Sequence, residues 1–247
     1  MRCALEILQE LQYYVMIAMT NQQFKAGRVQ ARLTQIQAAE RLRLSQPYLS
    51  QLERGERPIT PELARFATKV YGLPPTLLPV SQSPAFGEMS GASRLARQLS
   101  GLGYPGFTHL RAERTNPAAL VLQSLVQRDL EVRLTEALPW VLGAYPDLSW
   151  PWLTDQIKLN DVQNRLGFIV GMTKELAVSR GKFRSAVEPL SAVEAKLEHS
   201  RLVREDTLCR ESMPPAERRW LTSNRSPLAR HWNLLTGLTV DQLPYAA

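Results

Sequence analysis

Two short motifs with the chemistry of base recognition lie eleven residues apart in the chain. Each pairs a hydroxyl residue with a glutamine, first as Thr34-Gln35 and then as Ser45-Gln46, and Gln51 follows. A glutamine amide both donates and accepts hydrogen bonds, which suits an adenine edge in the major groove of duplex DNA. A hydroxyl at a helix start accepts a hydrogen bond from a free backbone N–H group. The spacing therefore predicts two short capped helices.

These two helices are joined by a short turn and must position the glutamines. Thr34 with Gln37 is a capping-box pattern, Ser45 caps the second helix, and Gly55 is suited to end it. The residues predicted to face inward are Ala38, Ala39, Leu42, Leu49 and Leu52. A small residue where the helices cross, Ala39, lets their backbones approach as a helix-turn-helix requires.

The outer face of the second helix is predicted to point away from the hydrophobic core. Helices of about eight residues cannot bury enough surface alone, so flanking helices are predicted over residues 25–33 and from Thr60-Pro61 to Tyr71. The residues of the outer face are Gln46, Pro47, Ser50, Gln51 and Arg54. Residues 24–78 hold nine Lys and Arg against four Glu. Polar side chains, net positive charge and a helix N-terminus together favour a nucleic-acid partner.

The stretch "YLSQLERGERPI" and its surroundings resemble a known family. Residues from about 24 to 79, roughly a quarter of the chain, are similar to the helix-turn-helix domain of the XRE family, the Cro and phage-repressor-like regulators. The similar stretches are "LTQIQAAERL", "SQPYLSQLERGERPIT" and "PELARFATKVYGL". The resemblance implies a five-helix domain whose second motif helix lies in the major groove of double-stranded DNA.

The resemblance also implies roles for individual residues. Gln46 and Gln51 lie at base-reading positions, with Ser45 close to them. Gln35 lies where the family contacts a phosphate and often braces the first glutamine of the recognition helix. The phosphate-contacting residues expected in this sequence are Gln35, Ser50, Arg54 and Arg57.

Two positions depart from the family pattern. Arg43 takes the turn position usually held by Gly or Asn, where a left-handed conformation costs about 1 kcal/mol. Pro47 is tolerated in a first helical turn but cannot hydrogen-bond a base. The DNA sequence that this protein binds therefore cannot be inferred from the operator of a relative.

Composition shifts divide the chain into four predicted segments. Residues 1–22 are an N-terminal helical extension of open role, and residues 23–79 are the helix-turn-helix domain. Residues 80–115 are rich in Ser, Gly and Pro and are predicted as a linker, with room for a short helix around residues 94–99. Residues 116–247 are predicted as a larger helical domain for oligomerisation or partner binding.

Helical spacing dominates this larger domain, and the whole chain is predicted to be all-α. The helices expected there open at Asn116-Pro117 and run through Leu134, from Trp152 through Leu176, from about Ala186 to Cys209, and from Ser226-Pro227 through Leu235. All five tryptophans lie in this domain, and we interpret them as core anchors rather than a ligand cage. The stretch "GFIVG" at 167–171 has the small-residue spacing of closely packed helices.

Several classes of protein are excluded by what the sequence lacks. Two cysteines, Cys3 and Cys209, cannot build a disulfide framework or a zinc finger, and the three histidines have no ligand-type spacing. No phosphate-binding glycine loop or nucleophile elbow occurs. We therefore expect no catalytic residues, no metal and no cofactor. No apolar stretch reaches the roughly 18 residues of a membrane span, which favours a soluble, cytoplasmic protein.

Two functions remain open at this point. The first is a bacterial or phage-type transcriptional regulator, a repressor that binds a palindromic operator as a homodimer through the helix at residues 45–54. The second is an antitoxin, whose C-terminal domain neutralises a toxin from a neighbouring gene while the N-terminal domain represses the shared operon. The stretch at residues 129–168 is loosely similar to regions that follow such domains in antitoxin-type regulators. The net charge of +7 fits an anionic partner.

Overall fold

Residues 19–80 and 91–245 are described by the computed structural model, and almost all of their regular structure is helical. This confirms the all-α prediction. The chain divides into two units, Met1–Gln82 and Ser83–Ala247. Across the described residues, every helix is too short or too polar to cross a bilayer. The N-terminal helix predicted over residues 1–20 lies almost wholly outside the described residues, as does Cys3.

Four α-helices and a 3-10 turn are described in the first unit, so a single 3-10 turn follows the fourth helix of the five-helix domain that the resemblance implies. They are α1 (Asn21–Gln30), α2 (Gln35–Leu42), α3 (Gln46–Arg54), α4 (Pro61–Tyr71) and the turn Pro75–Leu77. Each α-helix begins after a hydroxyl residue whose side chain accepts a hydrogen bond from a backbone N–H in the first turn: Thr20, Thr34, Ser45 and Thr60. The local caps therefore set where these helices begin.

The first helix begins earlier than the sequence predicts. Thr20 forms a capping box with Gln23, so α1 begins at Asn21 rather than near residue 25. Met19 is buried in the same core as Phe24 and Leu49. The remaining core positions follow the prediction, since Ala39 and Leu52 are buried where α2 and α3 face the other helices. Arg43 takes the left-handed conformation expected of the turn, with φ 58°.

Eight α-helices and one pair of short strands are described in the second unit. The helices are α5 (Ala92–Gly101), α6 (Pro117–Leu125), α7 (Val132–Ala144), α8 (Trp150–Leu159), α9 (Gln163–Arg180), α10 (Val187–Glu198), α11 (Pro215–Asn224) and α12 (Pro227–His231). The 3-10 turns are Pro105–Phe107, Arg184–Ala186 and Val240–Gln242. The strands β1 (Asp206–Thr207) and β2 (Leu234–Leu235) pair in parallel.

The segment expected to be a linker differs from that expectation over residues 91–115. Helix α5 packs on α6 and α7, and its residues Leu95 and Leu99 are fully buried. Tyr104 meets the ring of Trp140 edge-on, with 5.4 Å between the ring centroids. The Ser and Gly content hid an apolar stripe at positions 95, 99 and 102, which is helical spacing. Residues 81–90 lie outside the described residues.

The long helices predicted for this unit are shorter in the structure. The first divides between α6 and α7, where the N–H of Leu130 donates to the carbonyl of Cys209 at 2.9 Å. The second breaks at Asp161, which has φ 55°. The third ends at Glu198 rather than Cys209, and the last ends at His231, so that Leu235 lies in β2 instead. None of these interruptions has a glycine or proline to announce it.

Helix α9 lies at the centre of the second unit and packs on α7, α8, α10 and α12. A Cβ added to Gly167 would lie 2.4 Å from the ring of Trp232, and one added to Gly171 would lie 2.6 Å from Leu228. The small-residue spacing therefore permits close packing, as predicted. Trp152 and Trp232 are buried, which agrees with their interpretation as core anchors, whereas Trp220 is 60% exposed and that interpretation is wrong for it.

A buried arginine at the start of α9 secures the irregular segment before α11. Arg165 donates to the backbone carbonyls of Leu125 and Gln127, both at 2.8 Å, and to the carboxylate of Asp206 at 2.7 Å. Burial raises the pKa of the nearby Cys209 thiol to about 11, although the charge of Arg165 opposes that shift. The thiol is therefore protonated at neutral pH and acts as a packing group rather than a nucleophile.

Replacing Gly167 by alanine should destabilise the second unit. The new methyl group would overlap the Trp232 ring, and overpacking of this kind costs about 1–3 kcal/mol. Denaturant unfolding followed by tryptophan fluorescence measures this directly, because all five tryptophans lie in this unit. Val178→Ala, at an exposed position of the same helix, is the matched control. Equal unfolding midpoints for Gly167→Ala and the parent would contradict the packing argument.

Candidate nucleic-acid interface

Helix α3 presents a polar face whose opposite side is anchored in the core. Leu49 and Leu52 are fully buried, and Gly55 ends the helix in the left-handed conformation predicted for it. Ser45 caps it by accepting a hydrogen bond from the N–H of Tyr48. The outward residues Ser45, Gln46, Pro47 and Arg54 are exposed, whereas Ser50 and Gln51 are half-buried. Pro47 lies in the first turn, where its missing N–H leaves no helical bond unmade.

A chain of hydrogen bonds connects the predicted base-reading glutamine to the interior of the unit. The amide of Gln46 donates to the amide oxygen of Gln35 at 2.8 Å. Gln35 in turn donates to the carboxylate of Glu53 at 2.9 Å. Arg28 holds the same carboxylate through two hydrogen bonds of 2.5 and 3.0 Å. The exposed amide of Gln46 is therefore oriented by contacts that end in a buried ion pair.

Glu53 is the buried member of this chain, with only 8% of its surface exposed. Burial alone would raise the pKa of Glu53, but the hydrogen bonds from Arg28 and Gln35 outweigh it, so that the pKa lies below its ordinary value. The carboxylate is therefore charged at neutral pH and holds both donors. The sequence prediction did not include a structural role for Glu53, although its position one turn after Leu49 places it on the inward side of the helix.

The other predicted contact residues are distributed differently. The guanidinium of Arg54 donates to the hydroxyl of Ser50 at 2.8 Å and to both carboxylate oxygens of Glu56. The amide of Gln51 makes no hydrogen bond with any described residue. Arg57 lies in the exposed loop after α3, and its carbonyl accepts a hydrogen bond from Asn21 at 3.0 Å.

The structure thus brings Gln35 and Gln46 together and pairs Ser50 with Arg54, while Gln51 and Arg57 stand apart. Their contacts with DNA stay predictions. Among the described residues, no three His, Cys, Asp or Glu side chains are grouped so that they could hold a metal ion.

Comparison with known proteins agrees with this geometry. A family model described as "Helix-turn-helix" matches residues 24–78. Residues 24–78 are a helix-turn-helix domain of the XRE family. The match supports a DNA-binding regulator of transcription. No curated protein and no solved structure matches the chain significantly.

Removing the charge of Glu53 should loosen the helix-turn-helix domain. Glu53→Gln leaves Arg28 partly buried opposite a neutral amide, and breaking a buried pair costs about 3 kcal/mol. Hydrogen exchange of peptides from residues 19–80, followed by mass spectrometry, measures the loss of protection. Glu56→Gln neutralises an exposed carboxylate close by and should leave that protection unchanged.

The same experiment has a pH arm. Because the folded pKa of Glu53 lies below 4.5, its contribution is complete above that pH and is lost as the pH falls through the folded pKa. Protection in the parent should therefore fall in acid more steeply than in Glu53→Gln. Identical protection in the two proteins at every pH would show that the ion pair does not stabilise the domain.

Proposed function

We propose that the protein is a sequence-specific repressor that binds a palindromic operator as a homodimer, with α3 in the major groove. The observation that supports this most is the hydrogen bond from Gln46 to Gln35, which holds an exposed amide in a fixed orientation. A preoriented amide loses less entropy when it binds an adenine edge. The free amide of Gln51 lies five residues further along the same helix and supplies a second reading group.

A dimer is part of the proposal because one recognition helix offers few contacts. Two half-sites spaced one helical turn apart double those contacts, and a two-fold symmetric protein then requires an inverted repeat. Ser50, Arg54 and Arg57 would bind phosphates of the DNA backbone around each half-site. The side chain of Arg54 is paired with Glu56 in the free protein. To bind a phosphate, Arg54 would have to leave the Glu56 carboxylate.

Truncating the reading glutamines should weaken specific binding alone. Gln46→Ala and Gln51→Ala each remove an amide from a base edge, which costs about 1–3 kcal/mol on the operator and little on unrelated DNA. The operator is first selected by the parent protein from a pool of random duplexes, and affinities then follow from fluorescence anisotropy. Gln30→Ala, at an exposed glutamine of α1, is the control.

Either of two results would contradict this proposal. One is selected DNA without an inverted repeat, which removes the symmetric dimer. The other is unchanged operator affinity in both glutamine variants, which removes direct reading by α3.

A second candidate function, the antitoxin, is favoured by one surface of the second unit. Trp220 on α11 is 60% exposed, whereas the next residue, Leu221, packs into a small core with Met213 and Leu235. Arg219 beside it is exposed and makes no hydrogen bond or ion pair with a described residue. Tryptophan and arginine are the residue types that most often dominate protein–protein binding energy. We infer that this face holds a toxin encoded by the neighbouring gene.

Co-expression tests the antitoxin function. The full chain should co-purify with the product of the adjacent gene, and Trp220→Ala should reduce the recovered partner about tenfold or more, as loss of a central aromatic anchor does. Val203→Ala removes another exposed apolar side chain and should change nothing. Failure of the adjacent product to bind, or equal recovery with Trp220→Ala, would contradict this function.

A further inference from the structure

All four α-helices of the helix-turn-helix domain end in the same kind of turn. In each, a residue takes the left-handed conformation: Arg32 (φ 55°), Arg43 (φ 58°), Gly55 (φ 81°) and Gly72 (φ 67°). The N–H of the next residue then donates to the carbonyl five residues earlier: Leu33 to Arg28, Leu44 to Ala39, Glu56 to Gln51 and Leu73 to Thr68. These are Schellman turns, in which glycine is the ordinary left-handed residue.

Two of the four turns use arginine instead of glycine. A side chain in this conformation places its Cβ close to the following carbonyl oxygen, so arginine is the less stable choice at both places. Both arginines open the same four-residue pattern, Arg-Leu-Thr-Gln at 32–35 and Arg-Leu-Ser-Gln at 43–46. In each pattern the hydroxyl residue caps the next helix and the glutamine is its first residue. We name residues 32–35 and 43–46 the two arginine turns.

Nothing in the described part of the chain compensates for this strain. The side chains of Arg32 and Arg43 are exposed, and neither makes a hydrogen bond or an ion pair with a described residue. Other arginines of the domain behave differently, since Arg28 is bound to Glu53 and Arg54 to Glu56. Two strained positions thus carry two uncompensated cations.

The two arginine turns lie close to each other in space. Gln35 and Gln46, the last residues of the two turns, are joined by a hydrogen bond of 2.8 Å. The N-termini of α2 and α3 therefore converge, and each brings free backbone N–H groups and the positive end of a helix dipole to that point. Each arginine lies three residues before one of these glutamines. Both arginine turns thus lead into helix starts whose first side chains, Gln35 and Gln46, meet at the amide proposed to read a base.

We propose that Arg32 and Arg43 each bind a backbone phosphate of duplex DNA, next to the base edge that Gln46 reads. This assignment rests on the proposed DNA-binding function and adds two contacts that neither the sequence resemblance nor the capped helices indicate. A phosphate contact at each position would give a function to an arginine that is less stable there than glycine. The strain stays in the free protein, and the phosphate contacts form only when DNA binds.

Salt dependence of DNA binding separates this assignment from a purely structural role. Each phosphate contact adds about 0.9 to the slope of log affinity against log salt concentration. Arg32→Gly and Arg43→Gly should each reduce the slope by about that amount, and the double variant by about twice as much. The fold loss of affinity caused by each single substitution should therefore be about 3-fold smaller at 200 mM salt than at 50 mM. A duplex of unrelated sequence is a sufficient probe, because phosphate contacts do not depend on sequence.

Two control variants complete the set. Arg43→Lys keeps the charge and should keep most of the slope. Lys69→Gln removes one charge from α4, which packs on α1 and α2, and should leave the slope unchanged. Thermal unfolding checks the fold, since glycine in a left-handed turn should leave the unfolding midpoint of the domain unchanged or raise it by a few degrees.

The outcomes distinguish this assignment from the proposed function. If the parent does not bind duplex DNA, the regulator function fails and the assignment fails with it. If the parent binds and both glycine variants keep its salt slope, the function stands and the assignment is overturned. If Lys69→Gln lowers the slope as much as the glycine variants do, the effect is one of net charge, and the assignment is also overturned.

Discussion

The ion pair between Arg28 and Glu53 is the interaction on which the proposed DNA-reading surface depends. It joins the first helix of the domain to the recognition helix, in a position where an unpaired carboxylate would be strongly destabilising. Gln35 supplies the third hydrogen bond that this carboxylate accepts. The same glutamine also accepts a hydrogen bond from Gln46, so the packing of α1 on α3 and the orientation of the Gln46 amide have a common origin. A single buried charge thus stabilises the domain and orients the amide that we propose reads a base.

Local sequence signals predicted the starts of three of the four α-helices in the helix-turn-helix domain. Thr34, Ser45 and Thr60 cap helices where the sequence predicts caps, because a cap needs only a hydroxyl and the three residues that follow it. The left-handed Arg43 was also predictable, since the family pattern marks that position as a turn. The role of Glu53 was not, because a glutamate on a short helix is normally solvated and its partner lies 25 residues away.

The second unit was predicted less well, and some of its helix boundaries lie at contacts with distant partners. The break after α6 lies where Leu130 pairs with the segment at Cys209, whereas the break at Asp161 is a local left-handed turn that the helical spacing did not indicate. Helix α5 was hidden among the Ser and Gly residues on either side of it. What the sequence predicted correctly there, the close packing at Gly167, follows from residue size alone. The sequence therefore predicted the packing that follows from residue size and missed the helix boundaries that lie at tertiary contacts.

The repeated Schellman turns have a consequence for how the domain reaches its native state. Each helix start and each helix end in residues 19–80 is fixed by hydrogen bonds between residues at most five positions apart. Such short-range contacts cost little chain entropy to form, and small helical domains rich in them fold within microseconds to milliseconds. The helix-turn-helix domain should therefore become structured while much of the following chain is still being synthesised.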